Sequence, residues 1–411
     1  MSAPGGAARG AVGEVSGHVL IIIQNLPLRL DRRVRNECRA LIRAGYRVSV
    51  ICPKEEPDEA DHHQLDGAAV YSYRAPPGAE GAISYAWEFI VCWWRSAWLS
   101  VQVNRRRRIH ILQACNPPDT YWLLAALWKI WGRRFVFDQH DLCPEVYEAR
   151  FGKRGVLYRT LLWLERRTYS IADVVISPNP AYREVAMRRG EIPSRRTAVV
   201  MSTPDAQRMY RSTTRPELRG GFKHLVCYVG IMGPQDGVDS LLAAIDAYVH
   251  ELGREDTRFA LLGFGDSFKQ LRQESTRRGL DRWVVFTGRV DHEELGRWLS
   301  TADLGVTPDP QNEFNHRSTM NKTLEYMAHE VAVVATDLRE TRRCAADAAV
   351  YVPGDDPLTT AGAIAAVLDD PERRVWMGRH GRERIETELA WSIQERRYIR
   401  VFDSVMASLR R

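Results

Sequence analysis

The sequence predicts an α/β protein built from two doubly wound, Rossmann-like domains, and three observations carry that prediction. Short β-rich runs alternate with helical stretches in both halves of the chain, the pattern of βαβ units and parallel sheets. The run at 331–336, VAVVAT, lacks the in-and-out alternation of a strand with one wet face, as expected where both faces are covered. A polar, breaker-rich stretch at 204–221 interrupts the alternation near the middle, and 411 residues suffice for two sizeable cores. The predicted division is a disordered lead at 1–16, a domain at 17–205, a linker at 206–222, a second domain at 223–387 and a terminal helix at 388–411. The lead is rich in Gly and Ala and has no apolar h-region, so it reads as a disordered lead rather than a signal peptide.

In the first half, residues 18–23 form a strand, 31–44 a helix ended by Gly45, and 47–52 a second strand. The loop between them, QNLPLRLDRR at 24–33, falls at the carboxyl edge of the sheet, where doubly wound domains bind ligands. Asp31 is a candidate N-cap. Arg32 and Arg33 follow in the first helical turn, where cations oppose the dipole unless an anion is bound; they are either an anion site or a solvated pair. The stretch 84–103 is rich in Trp and aliphatics, is interrupted by Glu88 and Arg95, and leads into Arg105 to Arg108. It is not a clean transmembrane span, and reads either as a core helix or as a helix lying on anionic lipid. Strands at 110–115 and 135–138 flank a helix at 120–131. Each strand ends in polar residues: Asp119 after the first, and His140, Asp141 and Glu145 after the second. A His that directly follows a buried strand and sits beside carboxylates is a better functional candidate than a lone one. A helix at 157–169 and strands at 173–177 and 197–201 complete this half.

The second half starts with a strand at 225–229 and a turn in which Gly230 and Gly233 let backbone amides approach a diphosphate. Strands at 258–262, 284–287 and 302–307 follow, the second of these running into Gly288, Arg289 and Val290. Ser318 or Thr319 then caps a helix, and the backbone N–H groups of Thr319, Met320, Asn321 and Lys322 form an anion site to which Lys322 adds its charge. Asn321, Lys322 and Glu325 share one face of that helix, while Met320, Leu324 and Met327 fill the other. An ordinary amphipathic helix with a surface ion pair accounts for these residues equally well. The amphipathic segment Trp391–Leu409 ends the chain.

A formal charge of +6 and a pI near 8.9 suit an anionic substrate or a membrane surface, but are too diffuse to indicate nucleic acid. The seven cysteines are scattered, with no pair at metal-ligand spacing, and read as reduced, mostly buried thiols of a cytoplasmic protein.

The stretch 318–325, STMNKTLE, and the loop FDQHDLCPE at 137–145 resemble the signature of retaining GT-B glycosyltransferases of family 4, one branch of which reads Ser-Thr-Met-Asn-Lys at the helix start. The resemblance runs from about Gly17 to Leu409. It implies an acceptor domain and a nucleotide-sugar domain facing across a cleft, with the last helix crossing back onto the first. It also implies that His140 lies near the reacting carbon of the donor sugar, that Glu325 grips the ribose, and that the helix start with Lys322 binds the donor diphosphate. Gly288, Arg289 and Val290 would surround the base, with Arg317 beside the donor, and Asp31, Arg32, Arg33, Asp119, Asp141 and Glu145 would serve as an acceptor or phosphate loop.

The chain departs from the common pattern at several positions. The first of two family glutamates falls on Arg317, the turn glycine and strand proline on Glu330 and Ala332, and a phosphate-binding Arg and Lys on Ile231 and Asp236; the Gly-Gly of the first loop is also missing. Two phosphates buried without a cation would be costly, so Lys322, Arg317 and Arg32 are expected to take over neutralisation. The implied activity is sugar transfer from a GDP- or UDP-linked donor to a small molecule of specialised metabolism, a glycan or a lipid-linked glycan. No cofactor and no metal are expected. The implied location is the cytoplasm, with peripheral membrane contact through 84–108 as an alternative. A nucleotide-sugar epimerase and a non-catalytic nucleotide-sugar-binding relative are the rival readings.

Overall fold

The computed structural model describes residues 17–76 and 82–409, so the lead expected at 1–16 lies outside the described residues. The first domain contains β1 (Gly17–Ile22), α1 (Arg32–Arg43), β2 (Tyr46–Pro53), β3 (His62–Leu65), β4 (Ala68–Tyr73), α2 (Ala82–Arg106), β5 (Ile111–Cys115), α3 (Trp122–Ile130), β6 (Arg134–Asp138), α4 (Cys143–Phe151), α5 (Val156–Ile171), β7 (Val174–Ser177), α6 (Pro180–Gly190) and β8 (Thr197–Val199). Its sheet order is β3-β4-β2-β1-β5-β6-β7-β8, and only β3 runs antiparallel to its neighbour. Strands β1 and β5 are buried at every position, because helices cover both faces of the sheet.

The sequence reading had no counterpart for the β3–β4 hairpin. Its turn is Asp66-Gly67, with φ of 52° and 84°, a dipeptide suited to the left-handed region. The pair adds an antiparallel edge, and β3 exposes alternate residues as an edge strand does.

The second domain contains β9 (His224–Ile231), α7 (Val238–Asp246), β10 (Thr257–Phe264), α8 (Phe268–Arg277), β11 (Val284–Gly288), α9 (His292–Thr301), β12 (Leu304–Thr307), α10 (Glu313–Arg317), α11 (Asn321–Ala328), β13 (Ala332–Thr336), α12 (Arg339–Ala345), β14 (Ala349–Val352), α13 (Pro357–Asp369) and α14 (Pro371–Thr387). Its six strands, ordered β11-β10-β9-β12-β13-β14, are all parallel. The final helix, α15 (Trp391–Leu409), buries Trp391, Tyr398, Val401 and Phe402 in the core formed by β1, β2 and α1, so the chain ends against the domain in which it began.

Helix α2 has a core face, with Cys92, Leu99 and Val103 buried, and an outer face on which Trp87, Trp94 and Trp98 are exposed. No described helix is long and apolar enough to cross a membrane. The seven cysteines are unpaired, and all but Cys143 are buried.

Candidate active site

On the first domain the site is built from the start of α1 and the carboxyl ends of β5 and β6. Asp31 caps α1, its Oδ1 accepting from the Val34 amide at 3.0 Å. The two arginines that follow diverge. Arg33 turns inward, donating from Nε and Nη2 to both oxygens of Asp138 at 3.1 and 2.6 Å and from Nη1 to the Val200 carbonyl at 2.8 Å. It is therefore a buried structural cation and not part of a surface anion site. Asp138 is fully buried, and its Oδ2 also meets Nε2 of His140 at 2.7 Å.

Burial opposes charge on His140, but the Asp138 carboxylate outweighs it and holds the imidazole above its ordinary value. Burial likewise opposes the Asp138 anion, yet Arg33 and His140 hold that carboxyl well below the usual range. Glu37, on α1, is pushed up to about 8 by burial and by the neighbouring Asp138 charge, and accepts from Nε2 of Gln113 at 2.8 Å. Gln113 in turn accepts from the Tyr398 hydroxyl at 2.6 Å, which ties the network to α15. The thiol of Cys115, Asp138 and His140 place ligand atoms within 4.8 Å of one another. Arg33 occupies both Asp138 oxygens, so the trio as arranged is a charge-knit cluster.

Asn116 organises the adjoining loop. Its Oδ1 accepts from the amides of His140 and Asp141 at 2.6 and 3.1 Å, and its Nδ2 donates to Asp119 at 3.1 Å. Asp119 is buried and held up to about 7 by burial and by Glu165, and Asp141 is raised by burial. Glu145 does not present a free carboxylate for hydroxyls. Sitting in the first turn of α4, it is ion-paired to Arg189 and, at 3.3 Å, to Arg317 of the second domain.

The second domain contributes the carboxyl ends of β9 to β12 and the amino end of α11. The expected capping by Ser318 or Thr319 is corrected here. Helix α11 starts at Asn321, after Met320, with no side-chain cap. The two hydroxyls instead face the first domain: Ser318 pairs with the Tyr182 hydroxyl at 3.0 Å, and Thr319 accepts from Asn179 at 3.1 Å, while Asn179 also donates to the Arg317 carbonyl at 2.8 Å. Ser318 is claimed locally as well, because its hydroxyl donates to Phe314 as the chain leaves α10. Asn179 and Tyr182 were not anticipated from sequence, although Asn-Pro at 179–180 is a strong helix-start signal and Asn179 does cap α6.

Lys322 lies half-buried against Asp309, with Nζ at 2.8 and 2.9 Å from the two oxygens, over the Tyr228 ring. Gly230 faces it closely: a Cβ there would lie 3.1 Å from Lys322 Cε. Asp236 accepts from the Gly233 amide at 2.8 Å and is raised to about 6 by burial, with Lys322 pulling the other way. Glu325, 5% exposed, is met by Arg32 from across the cleft. The three cations expected to neutralise phosphate are thus each paired already: Lys322 with Asp309, Arg32 with Glu325, and Arg317 with Glu145 and Glu313. Arg289, by contrast, is exposed over the Phe264 ring at 5.4 Å. Beside it opens a groove of about 600 Å³ lined by Ile231, Gly233, Phe264 and Gly265 of the second domain and by Arg150 of the first. Gly288 lies at the end of β11 with φ of 75°, followed by Arg289 and half-buried Val290.

Glu330, where the resembled family carries glycine, sits in the left-handed region at φ 56° between α11 and β13. The turn geometry is kept without the residue that adopts it most easily.

Two parallel-sheet domains facing across a cleft that gathers acids and bases from both define a GT-B protein. The family model described as Glycosyl transferases group 1 matches residues 223–370, the one described as Glycosyl transferase 4-like domain matches residues 30–202, and the chain belongs to this glycosyltransferase family. It is 26% identical over 220 residues to alpha-D-kanosaminyltransferase of Streptomyces kanamyceticus, covering 52% of this chain and 55% of that one. It is 30% identical over 174 residues to phosphatidyl-myo-inositol mannosyltransferase of Mycolicibacterium smegmatis, covering 42% of each. The chain spans about half the length of these curated relatives. Among solved structures, sucrose-phosphate synthase from Thermosynechococcus elongatus superposes with a TM-score of 0.76 at 19% identity, over 95% of this chain and 100% of that one. Anabaena HepE in complex with UDP and glucose superposes with a TM-score of 0.71 at 16% identity, over 94% and 100%.

Proposed function

We propose that the protein is a glycosyltransferase that moves a sugar from a nucleoside-diphosphate sugar, GDP- or UDP-linked, to an acceptor nucleophile with retention at the anomeric carbon. The observation that carries this reading is the Arg32–Glu325 ion pair across the cleft, with His140 held on Asp138 after β6 and Lys322 at the amino end of α11. The groove beside Arg289 takes the nucleotide, and the amino end of α11 with Lys322 meets the diphosphate. Glu325 exchanges Arg32 for the ribose hydroxyls, which frees that guanidinium for the phosphates. His140, whose charged form Asp138 favours against the cost of burial, donates to the donor sugar beside the reacting carbon. The leaving phosphate assists deprotonation of the acceptor on the same face. The reaction is metal-independent in this scheme, and the protein is cytoplasmic or peripheral at the inner face of the membrane. The relatives named for kanosaminyl and phosphatidylinositol mannosyl transfer support a small-molecule or lipid-linked glycan acceptor.

The test is consumption of GDP- or UDP-sugar by the purified chain with and without candidate acceptors, in the presence of a chelator. Consumption that depends on acceptor supports the proposal. Isomerisation of the donor without acceptor would replace it with an epimerase, and binding without turnover would leave a non-catalytic relative.

A further inference from the structure

We propose that the outer face of the layer formed by α2, α3 and α5 is a docking surface for an anionic lipid bilayer. The three helices lie side by side on one face of the first sheet. Trp128 Nε1 donates to Ser100 at 3.1 Å and Ser96 meets the Tyr121 hydroxyl at 3.1 Å, joining α2 to α3. Lys129 Nζ donates to the Ile171 carbonyl at 2.8 Å and the rings of Trp122 and Trp163 meet at 5.8 Å, joining α3 to α5.

On α2 the usual order of a surface helix is reversed. Ser96 and Ser100 are fully buried and hydrogen-bonded, while Trp94 and Trp98, two residues earlier in each case, are 65% and 64% exposed. With Trp87, Ile90 and Val101 they form one stripe at spacings of three and four from 87 to 101. Leu127 and Ile130 of α3 and Trp163 of α5 extend it sideways, so the apolar surface spans three elements rather than one.

Charge decides what covers this surface. The three helices carry Arg95, Arg105, Arg106, Arg159, Arg166 and Arg167, besides Lys129 paired with Asp173, against two acids, Glu88 and Glu165, and Glu165 is buried against Arg189. Arg107 and Arg108 follow α2 directly and are exposed. Two copies meeting through this face would oppose cation to cation, whereas acidic headgroups satisfy the arginines while indole rings settle at the interface. The tryptophan-rich part of α2 is also the end nearer the cleft, since Tyr121, beside Ser96, donates to Gln24 at the carboxyl end of β1 at 2.7 Å. Docking this face therefore brings the cleft mouth to the bilayer. The further step, presentation of a lipid-linked acceptor there, rests on the glycosyltransferase reading; the docking does not.

The test is flotation of the full chain with vesicles of phosphatidylcholine alone and of phosphatidylcholine with about one-third phosphatidylglycerol, without nucleotide or acceptor. The wild type is expected to float with the mixed vesicles, to bind the neutral ones far less, and to lose binding as salt is raised. Trp94→Ser with Trp98→Ser should weaken binding at least about tenfold, and Arg105→Glu with Arg106→Glu about fivefold or more per residue. All four side chains are exposed, so an unchanged melting midpoint checks the fold. Failure of the wild type to bind mixed vesicles, or equal binding by the variants, overturns the proposal. A concentration-dependent dimer that the tryptophan variant dissociates would assign the face to self-association instead. Because no nucleotide enters the assay, neither result depends on the transferase reading.

Discussion

Replacing Asp138 by Asn removes one charge from a fully buried site. Arg33 keeps its guanidinium in the core, hydrogen-bonded to the Val200 carbonyl, but loses its anionic partner. Breaking a buried pair in this way costs about 3–5 kcal/mol, which in a domain of this size lowers the melting midpoint by roughly 6–20 °C. Glu37 makes the loss pH-dependent. It lies 3.1 Å from Arg33, and the Asp138 charge is one of the causes that keep it protonated up to about 8. In the Asn variant Glu37 ionises at lower pH and partly replaces the missing charge. The destabilisation should therefore be larger at pH 5, where Glu37 still carries its proton, than at pH 8. Asp138 itself stays ionised in the wild type across this range because Arg33 and His140 depress it, so it contributes no slope of its own there. Calorimetric melts of both proteins at the two pH values measure the effect. A variant within about 1 kcal/mol of wild type at pH 5 would refute the reasoning, as would a loss that grows with pH.

Glu37→Gln stays neutral at all pH. Because the native Glu37 holds its proton up to about 8, above its ordinary 4.5, its contribution to stability is present at low pH and lost as pH rises through the native value; the variant should remove that decline, as melts from pH 4 to 9 would record. Gly237→Ala forces a side chain into φ 70° against the Pro308 carbonyl and should cost about 1–3 kcal/mol, readable in a thermal melt. Arg317→Glu sets a carboxylate against Glu145 across the cleft, a like-charge contact worth several kcal/mol, and should open the domains enough to raise the radius of gyration in small-angle scattering.

The sequence made the repeating parts legible. Period and breakers located the parallel strands, and Asp31 was readable as a cap because its partner, the Val34 amide, is three residues away. The β3–β4 hairpin left a signal, Asp66-Gly67, that the prevailing βαβ pattern overshadowed. What sequence could not supply was pairing across the fold. Arg32 and Arg33 are adjacent and chemically alike, yet one reaches Glu325, 293 residues on, and the other Asp138. Arg317 meets Glu145 over 172 residues, and Lys322 meets Asp309 through a loop whose course no local rule fixes. Each cation expected to take over phosphate neutralisation has an acidic partner that the sequence did not announce: charge can be read from a sequence, but its pairing cannot.

The central claim is that this cleft binds a nucleoside diphosphate through Glu325. The measurement is the melting midpoint of wild type and Glu325→Ala with UDP and with GDP at about 100 times the dissociation constant, where a bound ligand adds about 2.7 kcal/mol. The account predicts stabilisation of the wild type by one of the two nucleotides and its loss in the variant. No shift with either nucleotide, or an equal shift in the variant, would contradict it.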